Sequence, residues 1–214
     1  MTKLSRRSMI KTMGITTAAI AGLKTFSATV AEAATKWWKP TPQMDAMTAI
    51  HTRRSVRKFT AEDVTDEQVR TLLAAAMAAP SAGNEQPWEF VVVRDRETLG
   101  QVKKISKYAG YAAKSPVSIL VCANLDYDKY DGYWIEDVSA ATQNILLAAH
   151  ANGLGAVWTG CYPDKERIKG FRKLFKLPSK VVPVALVVLG HPAKTPAPKN
   201  RFKEDRIHQN EWNK

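Results

Sequence analysis

Apolar positions in this chain recur with two periods. Val69, Leu72, Leu73 and Ala76 stand at i, i+3, i+4 and i+7, the stripe of an amphipathic helix. Thr65-Asp66-Glu67-Gln68 reads as its capping box, and Pro80 ends it. Leu99, Val102 and Ile105 repeat the helical spacing within residues 94–107. A short helix is expected over 45–52, with Asp45 as its cap and Met47 and Ile50 three apart. Another is expected over 164–175, ending before Pro178. The longest is expected over 135–152. Ala140, Ala141, Ile145, Leu146, Ala148 and Ala149 leave it little polarity, so it should be buried nearly all round, in a core or an interface. Gly153 stands at its C′ position.

Strands are expected at 89–93, 117–123, 156–159 and 181–189. The run 117–123 is apolar but for Ser118, which suits a strand covered on both faces, and 181–189 reads as a buried strand too. Ser81 to Gln86 is a polar loop with Gly83 for backbone freedom, and 126–133, rich in Asp and Tyr, is a second loop. After Gly190 the chain carries Pro192, Pro196 and Pro198, and an extended tail is expected, with no reason to fold back on its own subunit. Helices and strands mix without strict alternation, and no GxGxxG follows a strand. That argues against a Rossmann domain and favours an α+β fold, a sheet flanked by helices.

The chain has 214 residues, enough for one domain with a substantial core, and its 45% hydrophobic and 24% charged residues are ordinary for a globular protein. The net charge of +12 changes meaning once the N-terminus is read. Ser5-Arg6-Arg7 opens a twin-arginine (Tat) export signal, followed by an uncharged stretch from Thr12 to Leu23. That stretch is shorter than the ~20 residues a membrane span needs. Ala31-Glu32-Ala33 offers small residues for cleavage before Ala34. Residues 1–33 hold five Lys or Arg and one Glu, so removing them leaves +8. The expected organisation is a signal over 1–33, a linker or arm over 34–44 with Trp37, Trp38, Pro40 and Pro42, and a domain over 45–214. Export places the protein in the periplasm. The remaining positive charge is spread along the chain with no aromatic-interleaved tract. It suits an anionic cofactor or substrate, not nucleic acid.

Arg53-Arg54-Ser55-Val56-Arg57-Lys58 concentrates the candidate chemistry. In an extended segment Arg53, Ser55 and Arg57 project to one side. Guanidinium forks and a hydroxyl there can grip a phosphate. A solvated basic turn is the alternative. Cys122 and Cys161 lie 39 positions apart without a CxxC, and sequence does not pair them. The four histidines show no metal-ligand spacing, and no catalytic triad or carboxylate pair stands out; no metal is expected.

Four stretches in order change that picture: Arg53-Arg54-Ser55-Val56-Arg57; Pro80-Ser81-Ala82-Gly83-Asn84-Glu85-Gln86-Pro87-Trp88; Gly153-Leu154-Gly155-Ala156-Val157-Trp158; and Lys199-Asn200-Arg201. Together they resemble the FMN-dependent nitroreductase family, from about residue 45 to the end. The resemblance implies a central mixed sheet flanked by helices, in an intertwined homodimer with two flavins at the subunit interface. It implies that Arg53, Ser55, Arg57, Lys199 and Arg201 hold the FMN phosphate and ribityl chain, with backbone contacts from Arg54. Pro80, Ser81 and Asn84 belong to the loop that bonds the flavin ring. Trp158, Thr159 and Gly160 belong to the segment beside flavin N5, where many relatives have an acidic residue before glycine and this chain has Gly160-Cys161. No side chain is expected to act as the catalyst, because the flavin carries the chemistry. The implied activity is ping-pong reduction of flat, electron-poor molecules such as nitroaromatics or quinones. The donor is NAD(P)H or a periplasmic or membrane reductant. A reductive dehalogenase or flavin-cleaving enzyme on the same scaffold, or a non-enzymatic flavin-binding module, are the alternatives.

Overall fold

The computed structural model describes residues 44–212. The expected export signal of 1–33 and nearly all of the expected 34–44 arm lie outside the described residues. Helix α1 spans Ala46–Thr52 and α2 spans Asp66–Met77. Strand β1 (Trp88–Val93) and helix α3 (Arg96–Ile105) follow, then β2 (Val117–Asn124), α4 (Trp134–Ala151) and β3 (Gly155–Gly160). Helix α5 (Lys165–Phe175) and β4 (Val181–Gly190) complete the set. Local chemistry sets several ends. Asp45 and Thr65 each accept a backbone N–H of the first helical turn, and Thr65 with Gln68 forms the reciprocal capping box. At the end of α4, Leu154 N–H donates to the Ala149 carbonyl and Gly153 N–H to His150, with Gly153 at φ +75. This is a Schellman closure, and it needs the left-handed residue that glycine supplies.

The strands form one sheet in the order β1-β2-β4-β3, with every strand pair antiparallel. The mixed character expected of the sheet is confined to one parallel bridge, Ser55 to Ala156. Pro183 sits inside β4, where a proline removes a ladder donor. It lies at a register shift beside Val121 and Cys122.

Strand β2 shows why its run is apolar but for Ser118. Ile119 and Val121 face a core built with Leu72, Ala76, Ile145 and Ala149 of α2 and α4. Leu120 and Cys122 face a second core with Val102 of α3 and Phe171 of α5. Helices cover both faces of the sheet. Cys122 and Cys161 are both buried, free thiols.

The tail departs from expectation. Thr60 N–H donates to the His191 carbonyl (2.9 Å), Ala193 N–H donates to Lys58 (3.0 Å), and Phe59 bridges Pro192 antiparallel. The first part of the tail folds back on its own subunit. The reason is the open backbone edge of residues 58–60, which composition does not reveal.

Candidate functional site

The basic segment is docked on edge strand β3. Val56 N–H donates to the Ala156 carbonyl at 3.0 Å. Val56 is the buried residue of the segment, between half-buried Ser55 and exposed Arg57. The two backbones come this close because residue 155 is glycine. A Cβ there would lie 2.6 Å from Val56 Cγ1.

Arg53 follows the last turn of α1, and its own N–H caps the Ala49 carbonyl. Burial first, then the charges of Arg54 and Arg201, push its pKa below the usual arginine value. Arg201, from the far end of the chain, therefore lies within electrostatic reach of Arg53. Among the described residues no carboxylate pairs with Arg53, Arg57, Lys199 or Arg201. Cations gathered without a counter-charge are what an anion site requires.

Arg54 has a role that sequence reasoning missed. Its Nε donates to the Ala197 carbonyl at 3.2 Å and its Nη2 to the Lys199 carbonyl at 3.3 Å. Its guanidinium clasps the tail and brings Lys199 and Arg201 to the basic segment. Nothing in the spacing separates this arginine from its neighbours. His150 of α4, which carries no signal in the sequence beyond the lack of metal-ligand spacing, also borders the site. Its Nε2 lies 2.8 Å from Thr52 Oγ1. Burial, then Arg53 and Arg54, hold its pKa below the ordinary histidine value, so the ring is neutral beside the cations at pH 7.

The second component is the loop of residues 81–86, with a tight turn at Ala82–Asn84. Gly83, Asn84 and Gln86 have φ of +53, +58 and +53. Left-handed backbone at two non-glycine residues is strained, on the order of 1–3 kcal/mol each, and persists only where surroundings enforce it. Ser81 Oγ accepts the Gln86 N–H (3.0 Å) and Asn84 Oδ1 accepts from Gln86 Nε2 (2.9 Å). Ala82 N–H donates to Asp137 Oδ1 of α4 at 3.0 Å. Pro80, just before the loop, is exposed, and Trp88, just after it, is core.

Asp137 is only 6% exposed, and its Oδ2 is buried with no hydrogen-bond partner. Burial, and then the nearby carboxylates of Glu85, Glu136 and Asp128, raise its pKa despite the Ala82 hydrogen bond. Glu85 in turn accepts the N–H groups of Lys129 (2.8 Å) and Tyr130 (3.1 Å). The Tyr130 ring occupies the space a side chain at Gly83 would need. The loop of 126–133 thereby rests on the loop of 81–86.

The third component is β3. Trp158 packs on the α2/α4 side of the sheet. Thr159 points to the other side, with Oγ1 2.7 Å from Tyr111 OH. Its hydroxyl is thus committed away from Trp158, and only its backbone shares that face. The Gly160 carbonyl accepts from Arg167 Nη1 (3.1 Å). Cys161 N–H is taken by the Val184 carbonyl, so that amide is not free for a ligand. Burial pushes the Cys161 thiol far up and the Cys122 thiol up to about 12, so neither forms a thiolate at neutral pH.

The nitroreductase family profile matches residues 50–117 and 112–191. The chain belongs to the nitroreductase family. It is 46% identical over 170 residues to the "Putative NADH dehydrogenase/NAD(P)H nitroreductase" of Methanothermobacter thermautotrophicus, covering 79% of this chain and 89% of that one. Among solved structures, an FMN-dependent nitroreductase of Clostridium difficile superposes with a TM-score of 0.72 at 27% identity, over 78% of this chain and 99% of the other. The NADPH:FMN oxidoreductase of Vibrio harveyi, complexed with NAD+, superposes with a TM-score of 0.70 at 26% identity, over 78% of each chain.

Proposed function

We propose that this chain is an FMN-dependent oxidoreductase that moves electrons from a reduced donor to flat, electron-poor acceptors such as nitroaromatics or quinones, in ping-pong order. The observation that carries this reading is the clasp of the Ala197 and Lys199 carbonyls by Arg54, which lays the 199–201 cations against the basic segment without a counter-charge, in a chain whose strained 81–86 loop is braced from α4. The residues fit the group. FMN carries a phosphate that is largely dianionic near neutral pH, and its ring edge needs both donors and acceptors, which Ser and Asn provide. Arg53, Ser55, Arg57, Lys199 and Arg201 would hold the phosphate and ribityl chain. Residues 80–84 and the backbone of 158–160 would hold the ring.

FMN, when bound, supplies the two-electron chemistry, and the protein supplies orientation and electrostatics. Arg54 keeps the tail against the basic segment. Asp137 holds the Ala82 amide and so sets the loop that meets the ring. The thiols stay protonated and take no part. The visible spectrum of the purified protein tests the proposal. One FMN per chain is expected, bleached anaerobically by a donor and restored by nitroaromatic or quinone. A colourless protein that FMN cannot reconstitute overturns it.

A homodimer is part of this reading. An apolar groove lined by Met44, Ala46, Ala49, Ile50, Leu147 and Ala148 lies open on the surface. Met47 beside it and Ile50 in its wall are 61% and 51% exposed, and one face of α4 is only half-buried. The near-apolar character of α4 supports a second copy covering this face. Export through the twin-arginine signal completes the proposal. Relatives are named for NAD(P)H, which would serve in the test tube; outside the cytoplasm the donor would be a membrane quinol or small redox protein. Arg6→Lys/Arg7→Lys should retain the full-length chain in the cytoplasm, and unchanged location would remove this part.

A further inference from the structure

The positive charge that is dispersed along the sequence is gathered in the fold. Residues 96–114 and 165–180 hold 12 lysines and arginines against 2 glutamates, a balance of +10 in a chain whose total is +12. Both stretches pack on the same side of the sheet. Val102, Ala109 and Ala112 from the first and Phe171 from the second share one core. Helices α3 and α5 are brought close by Gly170, where a Cβ would lie 2.6 Å from Ile105 Cγ2. The inward faces are apolar and the outward faces are lysine. Lys103, Lys104, Lys107, Lys165, Lys169 and Lys173 are all exposed. None makes an ion pair or a side-chain hydrogen bond among the described residues, and Lys107 alone has a partner, the ring of Tyr108 at 5.1 Å. Tyr108 is 68% exposed.

We propose that this α3/α5 face docks electrostatically on an anionic phospholipid surface. A protein partner with fixed carboxylates would be met by buried anchors, with Arg, Trp or Tyr at the centre of a shaped patch. This face instead offers flexible, strongly hydrated ammonium groups, with its one highly exposed aromatic at the edge of α3. A fluid surface of mobile headgroups matches such lysines without shape complementarity, each lysine adding to the attraction. Tyr108, with an apolar ring and a polar tip, suits the headgroup level. The attachment is peripheral, because among the described residues no helix is long and apolar enough to cross a membrane. The face lies across the sheet from the apolar groove, so dimerisation leaves it free. If the acceptor is a quinone, which rests on the reading above, the attachment holds the enzyme beside a lipid-soluble substrate.

The test is co-sedimentation of the full-length, flavin-loaded protein with vesicles of equal phosphatidylglycerol and phosphatidylcholine, and with pure phosphatidylcholine. The variant Lys103→Gln/Lys104→Gln/Lys169→Gln/Lys173→Gln is compared in parallel. Binding to the anionic vesicles alone is expected, falling at least about tenfold in the variant and released at about 0.5 M salt. Flavin content and thermal midpoint, unchanged in the variant, show that it is folded. Equal binding to neutral vesicles, salt-resistant binding, or full binding by the variant places the attachment off this face and overturns the proposal. Equally strong binding to duplex DNA under the same conditions makes this a general polyanion surface and overturns it too. No arm reads enzymatic activity, so failure here is distinct from failure of the flavin assignment.

Discussion

Gly155 and Val56 occupy one space: a Cβ on residue 155 would sit 2.6 Å from Val56 Cγ1. The contact lets the basic segment lie on β3, so that Ser55 bridges Ala156 and the cations are registered against the Trp158 strand. Gly155→Ala should push the segment off the edge strand. A loss of about 1–3 kcal/mol in stability is expected from overpacking, with weaker FMN binding. Adding Val56→Gly should recover FMN affinity more fully than stability, because it removes Val56 Cβ, 2.7 Å from the new methyl, along with both Cγ atoms and leaves a smaller core. Denaturant unfolding and flavin titration of both variants check this; a single variant that binds FMN like the parent would contradict it.

Removing a phosphate ligand should cost more than removing a surface charge. Arg53→Ala and Arg201→Ala are each expected to weaken FMN binding by about 1.5–3 kcal/mol, roughly 10–150-fold, as for a charge-assisted hydrogen bond. Arg54→Ala should also weaken it, but by releasing the tail, since its guanidinium holds the Ala197 and Lys199 carbonyls. Limited proteolysis separates the two causes. Cleavage after Lys194 or Lys199 should accelerate in Arg54→Ala and stay unchanged in Arg53→Ala.

Asp137 sets a pH dependence of definite sign. Its folded pKa is raised, so above the ordinary carboxylate value, ~3.9, the folded state binds more protons than the unfolded state. Its contribution to stability is full below that value and is lost as pH rises through the folded pKa. Asp137→Asn keeps an oxygen for the Ala82 N–H and removes the charge. The variant should gain stability over the parent as pH rises from ~4 towards neutrality, and match it below ~4. Thermal melts across that range measure the difference; a gain that grows on acidification would show the sign to be wrong.

The apolar groove predicts assembly. Leu147→Asp places a carboxylate in the groove wall on α4, where Leu147 is half-buried in the single chain. The parent should run as a dimer by light scattering and the variant as a monomer or a weak dimer. A parent that is monomeric at micromolar concentration while holding FMN would remove the homodimer from the proposal.

Local chemistry settled much of this protein in the sequence alone. The capping box at Thr65 and Gln68, the stripe of α2, the Gly153 stop and the apolar run of β2 all depend on neighbours within a few residues, and the structure has each where it was expected. The candidate site was legible as four stretches through their order and their resemblance to a family; only the basic stretches announce a chemistry by residue type. The rest depends on which distant segments meet. That Arg54 clasps the tail, that His150 sits among the cations and that Thr159 turns its hydroxyl to Tyr111 follow from packing between elements 48 to 145 residues apart. Likewise a tail rich in proline shows no preference for its own subunit until the open edge of 58–60 is in place to pair with it. Charge behaved in the same way. Lysines 103 and 169 are remote in the chain, and only the closeness of Gly170 to Ile105 makes them parts of one surface, since electrostatics depends on distance in space and sequence records only order.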